Sequence, residues 1–245
     1  MSNDLQSRQI NTIRALALDA VKNANSGHTG TAMALAPLAH VLFSKVMNYD
    51  AADPNWPDRD RFILSAGHAS MLLYAMLYLT GCGLELEDIK KFRQLGSQTP
   101  GHPEVHLTPG VEVTTGPLGQ GIANAVGMAL AERHLRSRLG EELTNHRIWA
   151  ICGDGDLMEG ISHEAASLAG HQQLGNLVVV YDDNRITIDG GTDLTLSDDA
   201  QRRFEAYGWH VNNLGEAAED VVALENALTE AADQIDRPSL IIVRS

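Results

Sequence analysis

The stretch RIWAICGDGDLMEGISHEAASLAGHQQLGNLVVVYDDN, residues 147–184, decides the fold. It opens on 147–152 (RIWAIC) and closes on 177–181 (LVVVY), two compact runs of β-branched and aromatic residues without polar alternation. Runs of that kind are central strands of a sheet covered on both faces. The residues between them, about 157–174, read as helix. Strand, helix, strand at this spacing predicts a βαβ unit with parallel strands and a right-handed crossover.

Ligands of an open α/β sheet bind beyond the carboxyl ends of its strands. Gly153-Asp154-Gly155 stands at the end of the first strand and Asp182-Asp183-Asn184 at the end of the second. If the two strands are neighbours, Asp154 and Asn184 project from one edge. Glycines let backbone approach a phosphate, and a following helix start offers free N–H groups. Carboxylate, amide, carbonyl, water and phosphate oxygens together make a Mg²⁺ site. Either tripeptide alone is a weak signal, because such turns often only join a strand to a helix. The two in succession predict a Mg²⁺-diphosphate site.

The flanking chain continues the same alternation. Helices are expected over about 5–22, 31–46, 69–79, 86–95, 121–139 and 217–235, and further strands over 61–64, 208–214 and 240–243. Residues 96–121 are rich in Gly, Pro, His and Thr, and 50–59 form a Pro-marked loop. No repeat or linker divides the chain. The expected architecture is one α/β domain over 1–245, a mostly parallel sheet flanked by helices.

Composition narrows the function classes. Of 245 residues, 44% are hydrophobic and 20% charged, the profile of a globular protein. Eighteen basic against 32 acidic residues leave a net charge of −14. That balance argues against non-specific nucleic-acid binding and against docking on anionic membranes. An anionic ligand then needs a local source of positive potential, a metal ion or a helix start. Cys82 and Cys152 belong to no CxxC pair and read as buried, reduced thiols of a cytoplasmic protein. The opening MSNDLQSRQI carries Asp4 and no apolar core, unlike a signal peptide.

Longer words around these motifs resemble one family. They are SGHTGTAMALAP (26–37), LSAGHASMLLYAMLYLTG (64–81), TPGHPE (99–104), TTGPLGQGIANAVGMA (114–129), GDGDLMEGISHEAASLAGHQQLGNL (153–177) and YDDNRITIDG (181–190). Together they resemble the N-terminal, diphosphate-binding domain of transketolases, from about Ser7 to the end of the chain. The resemblance implies thiamin diphosphate (ThDP) with Mg²⁺, or Ca²⁺ or Mn²⁺ in its place. It implies Asp154, Asn184 and the carbonyl of Ile186 as metal ligands. It assigns His68 to the diphosphate, Gly155 N–H to a phosphate oxygen with Gly153 beside it, and Gly116 and Leu118 to the aminopyrimidine side. Glu159, with Glu164 as a second member, would join a carboxylate network across a subunit interface, where paired carboxylates can share a proton.

His28 (SGHTG) and His102 (PGHPE) lie in glycine-bearing loops and, on the resemblance, contact substrate and move protons at sugar hydroxyls. The other seven histidines have no motif around them. Lys91 and Arg93 read as a solvated helix face rather than as phosphate hooks. Thr29 stands where the family usually has proline, which loosens the loop carrying His28.

Transketolases continue into pyrimidine-binding and C-terminal domains that are not among these 245 residues. Those parts supply the glutamate that activates the aminopyrimidine, a further histidine and much of the sugar-phosphate grip. The expectation is therefore the diphosphate-binding subunit of a split transketolase, transferring a two-carbon ketol unit between sugars or sugar phosphates. A separate pyrimidine-domain chain would complete it in a homo- or hetero-oligomer such as a heterotetramer. The alternatives are part of a longer transketolase, a non-catalytic ThDP module, and a Mg²⁺-dependent phosphate-binding enzyme outside the ThDP group.

Overall fold

The structure is a computed structural model and describes residues 3–245. Five strands form one parallel sheet: β1 (Arg61–Leu64), β2 (Ile148–Gly153), β3 (Leu177–Asp182), β6 (His210–Gly215) and β7 (Ser239–Val243). Their order across the sheet is β1-β2-β3-β7-β6. Each expected strand is present within a residue or two of its expected bounds. A two-stranded antiparallel hairpin, β4 (Ile186–Thr187) and β5 (Gly190–Gly191), lies outside the sheet and was not expected.

The absence of polar alternation in β2 and β3 has its cause in two separate cores. Trp149, Ile151, Val178, Val180, Ile241 and Val243 face one core, with α1 (Asn3–Ala24), α3 (Ala36–Val41), α4 (Ser70–Thr80) and α10 (Val221–Asp233). Ile148, Ala150, Cys152, Leu177, Val179 and Leu240 face the other, with α6 (Gln120–Leu139), α8 (Gly160–His171) and Phe204 of α9 (Ala200–Ala206). Successive strand residues point to opposite faces, so a strand buried on both must be apolar throughout. The step from β6 back to β7 runs against the direction of β2 to β3. A right-handed crossover then puts α10 on the face opposite α8.

The helices depart from expectation where the chain must turn. The segment 31–46 is α2 (Gly30–Ala34), α3 and one π-helical turn, Leu42–Val46. The segment 157–174 is α7 (Asp154–Met158) and α8, separated by Glu159 in extended conformation. Only Leu86–Lys90 (α5) of 86–95 is helical, and Arg93 sits at φ 60° in the turn that follows. The unexpected α9 is short and begins at Asp199, whose side chain accepts the Arg202 N–H. Cys82 and Cys152 are buried free thiols. Among the described residues, no helix is long and apolar enough to cross a membrane.

Candidate functional site

In register, Gly153 of β2 pairs with Asp182 of β3, so the turns after these strands leave the sheet side by side. Asp154 is 3% exposed. Its Oδ1 accepts from the Tyr181 hydroxyl at 2.6 Å and its Oδ2 from the Arg185 N–H at 2.9 Å. Asn184 donates from Nδ2 to Asp182 Oδ2 at 3.0 Å, and its Oδ1 accepts from the Ile186 N–H at 3.1 Å. Asp154, Asp156 and Asp182 are all buried, and none of them has an ion pair among the described residues. Burial raises the pKa of each, that of Asp182 to about 6. The cations nearby, Arg185 and Arg244, reach only Asp183, at 4.0 and 2.7 Å. Uncompensated buried carboxylates beside an amide and a backbone carbonyl are the hard-oxygen chemistry of a divalent-cation site. No three His, Cys, Asp or Glu side chains converge as a metal cluster among the described residues. The set therefore fits a cation shared with ligand oxygens rather than one caged by protein alone.

The second group is built by three loops. His68 follows β1 in a short 3₁₀ turn, Gly67–Ala69. The edge of one imidazole meets the face of the other where His28 and His68 pack, with ring centroids 5.2 Å apart. The His68 pKa is pushed down to about 4, first by burial and then by His28 and His102. His102 is lowered as well, by burial and then by Arg93. Both therefore hold neutral imidazoles at neutral pH, able to donate one hydrogen bond and accept another. With Thr29 in place of proline, the loop brings His28 onto His68.

Glycines set how closely these loops meet. A Cβ on Gly116, whose φ is 148°, would stand 3.4 Å from the His102 ring. A Cβ on Gly67 would be 2.7 Å from Thr115 Oγ1, and one on Gly155 would be 2.8 Å from Leu118 Cδ1. Leu118 thus joins the turn at 116–119 to the GDG turn. Gly153 has open space where a Cβ would be.

Glu159 packs its Cβ against Gly119, and both Glu159 and Glu164 are exposed in the chain on its own. Ile186 is 60% exposed.

Arg93 corrects an expectation. Because α5 stops at Lys90, Arg93 is not on a solvated helix face. It donates to Ser26 Oγ at 2.8 Å, and its guanidinium lies against Gly101, so it ties the His28 loop to the His102 loop. Sequence reading also passed over Ser65, Asp156 and Tyr181, which hold the motif residues in place. Their only sequence signal is adjacency to the motifs.

Comparison with known proteins follows this geometry. Residues 5–245 match the family described as "Transketolase, thiamine diphosphate binding domain". The chain is 53% identical over 248 residues to a transketolase of Geobacillus stearothermophilus, covering 100% of this chain and 37% of that protein. It is also 53% identical over 254 residues to one of Halalkalibacterium halodurans, with the same coverage. A crystal structure of transketolase from Campylobacter jejuni superposes with a TM-score of 0.95 at 46% identity, over 100% of this chain and 38% of that one. The chain spans about 37% of the length of the curated relatives it matches.

Proposed function

The chain belongs to the transketolase thiamine diphosphate binding domain family, and from that premise we propose that it is the diphosphate-binding part of a ThDP- and Mg²⁺-dependent transketolase. The observation that carries this reading is the placement of Asp154 and Asn184 in the adjacent turns after two neighbouring parallel strands, beside buried carboxylates that lack a cation. When bound, ThDP would supply the nucleophilic-carbon chemistry needed for two-carbon transfer from a ketose to an aldose.

The chain's own residues do the rest. Asp154 and Asn184 hold the metal with the Ile186 carbonyl, and Ca²⁺ or Mn²⁺ satisfies the same oxygens. The Gly155 N–H, with Gly153 leaving room beside it, meets a phosphate oxygen. His68, kept neutral by burial, adds a hydrogen bond to the diphosphate rather than a charge. Gly116 and Leu118 lie on the aminopyrimidine side. His28 and His102 contact the sugar and exchange protons with its hydroxyls. A neutral His102 near pH 7 can serve as base, and its imidazolium as the returning acid. Glu159 and Glu164, exposed here, enter a carboxylate network when a second subunit covers them.

The relatives are longer by a part with no counterpart in these 245 residues. We place the activating glutamate and the sugar-phosphate grip on that part. That part and this domain together form the complete site.

Affinity purification of the tagged chain from its native cells, with intact masses of what co-elutes, tests the arrangement. A transketolase-length mass, or a stoichiometric companion that supplies the remainder, is expected together with ThDP-dependent ketol transfer. Asp154→Ala should abolish that transfer. Transfer that persists undiminished in Asp154→Ala would overturn the metal assignment.

A further inference from the structure

Asp156 is fully buried, and its carboxylate accepts three hydrogen bonds from three different loops. Ser65 Oγ donates to Oδ1 at 2.6 Å, the Gly119 N–H to Oδ1 at 2.8 Å, and the Gly153 N–H to Oδ2 at 3.0 Å. Ser65 stands three residues before His68. Gly119 directly follows Leu118, and Gly153 directly precedes Asp154. Three of the loops that carry candidate cofactor contacts, though not the turn with Asn184 and Ile186, are therefore tied to one side chain. Two further bonds extend the tie. Ser65 Oγ accepts from the Ile122 N–H at 3.2 Å, at the start of α6, and Ser162 Oγ donates to the Asp156 carbonyl at 2.5 Å.

We propose that Asp156 is a positioning residue that clasps the 65–68, 116–119 and 153–155 turns into one unit, so that none can shift without the others. The clasp rests on the observed bonds alone. Its consequence for ThDP rests on the function proposed above.

A carboxylate suits the task because it has two acceptor oxygens and no donor. An asparagine there would turn an NH₂ group toward at least one of the three donors. A buried N–H without a partner is more costly than the bond it loses. The three turns are also packed through glycines. A Cβ on Gly67 would come within 2.9 Å of Gly116 N, and one on Gly119 within 2.9 Å of Ser162 Oγ. A Cβ on Gly155 would come within 2.8 Å of Leu118 Cδ1, so the 65–68 and 153–155 turns both pack tightly on the 116–119 turn.

The test is amide hydrogen exchange on the whole enzyme, this domain together with the part its longer relatives also have, with calorimetric titration of ThDP in the presence of Mg²⁺. In Asp156→Asn, exchange of the Gly119 and Gly153 amides should rise together by about 10-fold or more. Exchange in α10, on the opposite face, should stay as in the unaltered chain. ThDP affinity should fall by about 10-fold. Ser65→Ala is the second variant, and it decides the matter if Asp156→Asn does not fold. Ser65 donates to Asp156 but not to Gly153, so faster exchange at Gly153 would report transmission through the clasp.

Loosening confined to one turn in Asp156→Asn overturns the proposal. So does a Ser65→Ala effect confined to Ile122, or loosened turns with ThDP affinity unchanged. Unaltered whole enzyme that binds no ThDP with Mg²⁺ would refute the function proposed above, and the exchange pattern would still decide the clasp.

Discussion

The hydroxyl of Tyr181, in β3, donates to Asp154 Oδ1 at the end of β2 over 2.6 Å. Burial and the neighbouring carboxylate both raise the phenol's pKa, so it remains a donor at all working pH values. Groups that orient a metal ligand in this way typically change affinity by 10–100-fold when removed. Tyr181→Phe should therefore weaken Mn²⁺ binding in the presence of ThDP by about that factor. Electron paramagnetic resonance of free Mn²⁺ measures it directly, and unchanged affinity would remove Tyr181 from the site.

His68 provides a pH test. Its folded pKa, about 4, lies below its ordinary value of 6.5, so between these limits the unfolded chain binds more protons than the folded one. Stability on this account is complete above about pH 6.5 and falls as the pH drops toward 4. In a ¹H–¹³C titration the His68 ring signal should keep its neutral position below pH 5.5. A midpoint near 6.5 would show an exposed imidazole and contradict the packing against His28.

Glu132 makes the opposite case at the far end of the sheet. Its side chain is wholly buried in α6, with Arg136 at 3.3 Å. Burial raises its pKa to about 7, against the opposing pull of Arg136. The folded state therefore binds the extra proton between about pH 4.5 and 7, and this contribution to stability is lost as the pH rises through 7. Glu132→Gln should leave Tm nearly unchanged at pH 4.5. At pH 8 it should stabilise the chain by on the order of 1 kcal/mol, the ion pair lost with Arg136 offsetting part of the gain. A lower Tm at pH 8 would mean that the ion pair outweighs desolvation.

Two glycines of α6 should respond with opposite signs. A Cβ on Gly121 would stand 2.4 Å from Ser65 Cα, a backbone atom that cannot yield without moving β1 and its turn. Gly121→Ala should cost about 1–3 kcal/mol by overpacking and disturb the His68 loop. Gly127 has nothing within 4 Å of such a Cβ and is exposed. Gly127→Ala should add about 1 kcal/mol through helix propensity. Thermal unfolding of the pair checks both signs, and equal responses would contradict the packing of α6 against β1.

Much of the fold was legible along the chain. RIWAIC and LVVVY announced doubly buried strands, because the side-chain period of a strand is local and burial on both faces demands apolar residues at every position. The adjacency of the turns carrying Asp154 and Asn184 was legible too, because turns after parallel strands collect at one edge of the sheet. Local pattern failed where helices had to stop. Nothing in the helical periodicity of 86–95 marks Lys90 as the end of α5, and so Arg93 was placed on a solvated face. The break at Glu159 is likewise imposed by packing. Its Cβ meets Gly119, whose φ of 78° belongs to a turn in another part of the chain.

The sequence by itself determined the α/β class, the strand identities and the family, all of which reside in short contiguous words. Only the tertiary structure decided that Asp156 ties three loops together, that Arg93 bridges two histidine loops, and that His28 rests against His68. Asp156 and Ser65 are 91 positions apart. Their bond exists only because β1 and β2 lie side by side in register, with Leu64 beside Ile151. Local patterning sets which residues leave the core. The three-dimensional register of the sheet sets which of them meet.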